Sequence, residues 1–258
     1  MPAQAQRRGT GTSRIVPVQR LHAYGAVTIS QIMHSGVLTQ ATRYKNSTVA
    51  PSAIQPPGEQ LATYCGSDGY RFPLEMSYAT IVDANSRFAE TARRAASIEG
   101  FDSIKLHAAN GYLLDQFISS APNQRTYRWG RDTRSQLTFV REVIYAVSAT
   151  IDDETVLGIR ASPGNVNNFA SLRENGERDA EAIVGTLTGS DVDYIYTTLY
   201  RGWQPTFPVQ PGSLAELARS YAPSVPVIAY SDLLTRFSSA HGSCNVAPQS
   251  IKSVRRKL

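Results

Sequence analysis

Short apolar runs alternate with longer segments of helical period along most of this chain. Ala26–Met33 is rich in β-branched and apolar residues and reads as a strand. Met76–Ile98 carries Ile81, Phe88, Ala92 and Ala95 near helical spacing, with Arg87, Arg93 and Arg94 on the other side, and reads as a long helix. Gly100 marks a turn into a second strand, Phe101–His107, where Phe101, Ile104 and Leu106 stand among small and polar neighbours. Thr133–Thr150 predicts a helix with Leu137, Val140, Ile144 and Val147 on one stripe and Asp132 as N-cap. Thr155–Arg160 is a strand, Glu177–Leu187 a helix with Ala180, Ile183, Val184 and Leu187 inward, and Val192–Thr197 a strand. Ser213 and Glu216 form a capping-box pair for a short helix through Tyr221, and Val225–Tyr230 is a fifth strand. Near the start, Ile15–Tyr24 places Ile15, Val18 and Leu21 on one side of a short helix. Pro17 limits how far it runs back, and Gly25 closes it.

Strand followed by helix, repeated five times, predicts an α/β fold with a parallel sheet and right-handed crossovers. Residues 37–75 interrupt the pattern. Prolines at 51, 56, 57 and 73 and glycines at 58, 66 and 69 make this loop chemistry. A loop of such length is either functional or unstructured. The expected domain runs over residues 14–237. Residues 1–13 are expected to be a disordered basic terminus, and 238–258 a basic, poorly structured tail.

Length and composition narrow the class. At 258 residues the chain is long enough for one domain with a sizeable core, and 41% hydrophobic content is ordinary. No apolar run approaches membrane-spanning length, so no membrane partner is expected. Cys65 and Cys244 are too few for a disulfide scaffold, so reduced thiols are expected. No metal site is expected. The net charge of +5 reads as a solvated surface, and no basic run interleaved with aromatics supports nucleic-acid binding. No acidic residue precedes Glu59, and Arg7, Arg8 and Arg14 lie among Gln, Thr, Ser and Gly. That composition resembles an organelle transit peptide but lacks an amphipathic face, so a cytoplasmic location is expected.

The second strand carries the candidate chemistry. Its carboxyl end releases His107, Asn110 and Tyr112 within six positions, where parallel α/β sheets build their sites. His and Asn side chains can both donate hydrogen bonds to one carbonyl or phenolate oxygen. A Tyr nearby can deliver a proton to the other end of the same conjugated system. The plainer alternative is a turn in which His107 and Asn110 cap the next helix and Tyr112 packs. Arg160, at the end of Thr155–Arg160, reads equally as a fixed site cation or a surface ion pair.

The run His107-Ala-Ala-Asn-Gly-Tyr-Leu-Leu-Asp-Gln-Phe117, followed by Asn123-Gln-Arg-Thr126, resembles the motifs of the old yellow enzymes, the FMN-dependent ene-reductases. Gly158-Ile-Arg-Ala-Ser-Pro163 and Gln31-Ile-Met-His-Ser-Gly36 match further strand ends of that family, although Val37 stands where the family has Arg. The resemblance implies a (β/α)8 TIM barrel, of which strands three to seven are recognisable here. It implies FMN as cofactor, NADPH or NADH as reductant, a small enone or enal as substrate, and a monomer or homodimer. His107 and Asn110 would hold the substrate carbonyl, and Tyr112 would protonate the α-carbon. Gln31 would hydrogen-bond the flavin ring, and Arg160 would offset charge on it. His34 reads as a core or turn histidine. The excursion 37–75 would be a substrate lid.

Strands one, two and eight have no counterpart. The seventh strand ends Ile228-Ala-Tyr-Ser without the expected Gly-rich turn, and no Gly-Arg followed by Asn-Pro-Asp comes after it. The expectation is therefore a barrel-derived, incomplete domain that looks truncated at both ends. Two other readings accompany the ene-reductase: a non-catalytic relic binding a small phenol or enone, and a flavin-independent isomerase or lyase on the same scaffold.

Overall fold

The computed structural model describes residues 9–40, 47–62, 65–165, 168–172, 176–199, 202, 204–207 and 212–230. In chain order the strands are β1 Ile29–Ile32, β2 Thr48–Ala50, β3 Pro73–Glu75, β4 Ser103–Asn110, β5 Val156–Asn165, β6 Asn168–Leu172, β7 Tyr194–Thr198 and β8 Val227–Tyr230. The helices are α1 Gly9–Ala23, α2 Tyr78–Arg93, α3 Leu113–Ile118, α4 Thr133–Gln136, α5 Thr138–Ser148, α6 Glu177–Thr188 and α7 Leu214–Tyr221. A π turn, Arg94–Ile98, extends α2 toward β4.

Each of the five expected strands is present. They pair in the order β1-β4-β5-β7-β8, every pair parallel. Spatial order equals chain order, with no reversal of direction. A doubly wound sheet reverses at a switch point; this sheet does not, and it forms an arc of barrel wall. Register then sets up rows across the arc. Gln31, Lys105, Gly158 and Tyr194 share one row, and His107, Arg160, Tyr196 and Ile228 share the next.

Strand alternation separates the two faces. Ile104, Leu106 and Ala108 of β4 join the main core, packed with Phe88 and Ala92 of α2 and Phe139, Val143 and Val147 of α5. Lys105 and His107 take the opposite, inner face. At the lower row the Tyr194 ring fills the space beside Gly158, where an added Cβ would come within 2.0 Å of it. The Tyr194 hydroxyl lies 3.2 Å from Ser103 Oγ, bracing β7 against β4.

Several local expectations changed on folding. Pro17 lies inside α1, which begins at Gly9, so the helix runs further back than the proline suggested. Pro17 is exposed, where water serves the carbonyl a proline frees. The helix expected over 133–150 is two pieces meeting at Leu137, with Asp132 capping the first through Ser135 N–H. Ser213 and Glu216 form the expected reciprocal capping box. The excursion 37–75 is more than loop. It contains a 3-10 turn, Gly36–Leu38, and the parallel pair β2–β3, over a small core of Val37, Leu38, Ala50 and Tyr70. Strands of three residues are too short to show a period in sequence. Likewise β5 continues past Arg160 and returns as antiparallel β6. Of the terminus 1–13 expected to be disordered, residues 9–13 belong to α1, while residues 1–8 and the tail 238–258 lie outside the described residues. Among the described residues no helix is long and apolar enough to cross a membrane.

Candidate active site

The upper end of β4 is shaped by its backbone. Asn110 and Gly111 both take positive φ, 61° and 80°, which turns the chain sharply out of the strand. Asparagine tolerates that region better than most residues. The Asn110 N–H donates to Ser162 Oγ at 2.7 Å, and Ser162 Oγ donates to the Gly164 carbonyl at 2.8 Å. The Ser-Pro step of β5 thus fixes where β4 ends. Asp115 Oδ2 accepts from the Gly111 N–H at 2.7 Å.

One buried side chain ties this turn to the end of β1. Gln116 Nε2 donates to the Gly111 carbonyl at 2.7 Å and the Ser35 carbonyl at 3.2 Å, while its Oε1 accepts from the Val37 N–H at 3.3 Å. Gly36 has a φ of +58°, and a Cβ there would stand 2.3 Å from Gln116 Oε1. The glycine is what lets the amide reach both segments. His34 Nδ1 accepts from the Gly36 N–H at 3.0 Å, so this histidine closes the turn, as its sequence context indicated.

His107 sits on the inner face with only 3% of its surface exposed. The Tyr112 ring meets it edge-on, with centroids 4.9 Å apart and planes at 82°. Burial first, then the charges of Arg160 and Lys105, lower the His107 pKa to about 3. The imidazole is therefore neutral near pH 7. Its buried Nδ1 makes no hydrogen bond. Beside it in register, Arg160 donates from Nη2 to Thr198 Oγ1 at 3.0 Å and from Nη1 to Gln31 Oε1 at 3.4 Å. The Arg160 Nε is buried without a partner. Folding thus joins His107 to Tyr112 and Arg160 to Gln31, and places the two pairs on adjoining strands. Asn110 stands at the end of the same strand as His107, half-buried. Tyr112 also packs against the small core of the excursion, so residues 37–75 border the site.

Three further inner-face residues escaped the sequence analysis. Lys105 places its Nζ 4.0 Å above the Tyr196 ring, and burial followed by the Arg160 charge lowers its pKa. Tyr196 in turn lies near the Arg160 guanidinium and stacks on Tyr230 at 6.0 Å. Thr198 anchors Arg160. Period-two counting back from His107 and outward from Tyr194 would have found all three. Conversely, Asn123 and Arg125 of the second motif build structure. Asn123 Nδ2 donates to the Phe117 and Trp129 carbonyls at 2.7 and 2.6 Å. The buried Arg125 guanidinium donates to the Met76 carbonyl and to Tyr127 Oη.

Comparison with known proteins places this arrangement. Residues 15–184 match the model of the NADH:flavin oxidoreductase / NADH oxidase family. An aldehyde reductase of Cladobotryum is 41% identical over 107 residues, 41% of this chain and 28% of that protein. A probable flavin mononucleotide-dependent alkene reductase of Leishmania infantum is 32% identical over 169 residues, 63% of this chain and 44% of that protein. The solved structure of an old yellow enzyme homologue from Zymomonas mobilis superposes with a TM-score of 0.74 at 25% identity, covering 86% of this chain and 61% of that one. The matches thus span less than half of these two curated relatives, and the fold is part of a TIM barrel. With a family match running over most of the arc and its site, the chain belongs to the NADH:flavin oxidoreductase / NADH oxidase family.

Proposed function

We propose that this chain forms the substrate side of an FMN-dependent oxidoreductase of old yellow enzyme type, reducing activated C=C bonds of enones or enals with NAD(P)H. The observation that carries the reading is His107: buried, neutral, with an unpartnered Nδ1, and flanked by Tyr112 on its own strand end and by Arg160 in register. Two buried polar atoms without partners, His107 Nδ1 and Arg160 Nε, ask for a ligand on this wall. A flavin ring with its substrate fits that demand. Gln31 and Arg160 would hold the ring edge, the carboxamide offering both a donor and an acceptor. The family's phosphate-gripping motif has no counterpart in the sequence after β8.

When bound, FMN supplies the hydride chemistry between NAD(P)H and the alkene. The remaining work belongs to the side chains. A neutral imidazole donates one hydrogen bond to the substrate carbonyl without delivering its proton. The Asn110 amide donates a second, and together they stabilise the negative charge that builds on that oxygen. Tyr112 supplies the proton to the α-carbon. The excursion bordering Tyr112 would limit water access, as a lid does.

The test is a flavin spectrum of protein expressed with excess FMN, followed by separate half-reactions. Tyr112→Phe should slow turnover with an enone while flavin reduction by NADPH stays intact. Colourless protein under those conditions counts against the reading. Phenol affinity without any flavin would favour the non-catalytic binder in its place.

A further inference from the structure

We propose that Lys105 is a second cation of the flavin pocket which, with Arg160, holds the anionic reduced ring more tightly than the neutral oxidised one. The inference rests on the function proposed above and deepens it. Lys105 sits on β4 with Gln31 and Gly158 as register partners. Arg160 reaches from β5 across β4 to Gln31. Lys105 reaches the other way, across β5, to end above Tyr196 on β7. The Arg160 guanidinium lies 5.7 Å from the same ring centroid. Two cations therefore lie at one aromatic ring.

The groups around them are Gln31 from β1, His107 from β4, Tyr196 and Thr198 from β7, and Tyr230 from β8. None is a carboxylate. Among the described residues neither Lys105 nor Arg160 enters an ion pair. Half-buried like charges without a counter-charge repel, and the Tyr196 π-face offsets only part of that cost. A ligand that gains negative charge on this wall relieves both. Hydride from NAD(P)H brings two electrons and one proton to the neutral oxidised ring, leaving a reduced ring with one negative charge. Differential binding of the two forms is a shift in the ring's reduction equilibrium toward the reduced side.

The test compares binding of oxidised FMN with that of dithionite-reduced FMN, by anaerobic equilibrium dialysis. Lys105→Met keeps the stem over Tyr196 and removes the charge. It should weaken reduced FMN about tenfold and oxidised FMN by less than about twofold. Lys105→Arg should restore the preference, and Lys105→Gln serves as the neutral variant if the methionine form does not fold. Equal losses in both forms, or no loss in either, overturn the inference while leaving the proposed function standing. Wild-type protein that binds FMN in neither form removes both.

Discussion

The neutral state of His107 makes stability depend on pH in a calculable way. Folding lowers its pKa from the ordinary 6.5 to about 3. Between those values the unfolded chain binds the proton and the folded chain does not. Stability from this residue is therefore full above pH 6.5 and falls as the pH drops toward 3. Integrating the two titrations from about pH 7.5 to about pH 5 gives a loss of about 2 kcal/mol from His107 alone. Other groups titrate as well. The informative quantity is thus the difference from His107→Gln, which keeps a polar side chain of similar size but cannot take up the proton. Urea unfolding of both chains at the two pH values, followed by tryptophan fluorescence with Trp129 buried, measures it. Wild type should lose about 2 kcal/mol more than the variant on acidification. Equal pH dependence in the two chains would refute the reasoning, because it would mean the ring is hydrated or already charged in the fold. In an NMR titration the same argument has the His107 ring protons unmoved down to about pH 5.

Other perturbations follow from the packing. Gly36→Ala combines a positive φ with a Cβ 2.3 Å from Gln116 Oε1, so it should cost about 1–3 kcal/mol and loosen the link between β1 and β4. Chemical unfolding reads the first effect, and hydrogen exchange at Val37 reads the second. Arg125→Met leaves the Met76 carbonyl without its guanidinium and should lower stability by about 2–4 kcal/mol. Phenol or flavin affinity per folded molecule should not change in that variant; a selective loss of affinity with normal stability would show that Arg125 belongs to the site.

How much of this was legible in the chain depends on the range of each interaction. The five parallel strands and the capping box at Ser213 follow from local period and local hydrogen bonding, which sequence displays directly. His107, Asn110, Tyr112, Gln31 and Arg160 stood out through motif resemblance; Gln31, His107 and Arg160 lie within strands, Asn110 ends β4 and Tyr112 stands in the turn after it. Residues 37–75 were read as loop because strands as short as β2 and β3 gain their stability from partners distant in sequence, and β6, which pairs with nearby residues of β5, was not anticipated.

Tertiary structure alone decided what those residues do to one another. Nothing local says that His107 is buried beside two cations, so nothing local lowers its pKa. Register across β1, β4, β5 and β7 brings Arg160 to Gln31 and Lys105 over Tyr196. Motif position singled out Asn123 and Arg125, and only their buried hydrogen bonds show them bracing the loop after α3. Electrostatics and packing depend on distance in space. Parallel strands make neighbours of residues dozens of positions apart, and sequence records the strands more faithfully than the neighbours.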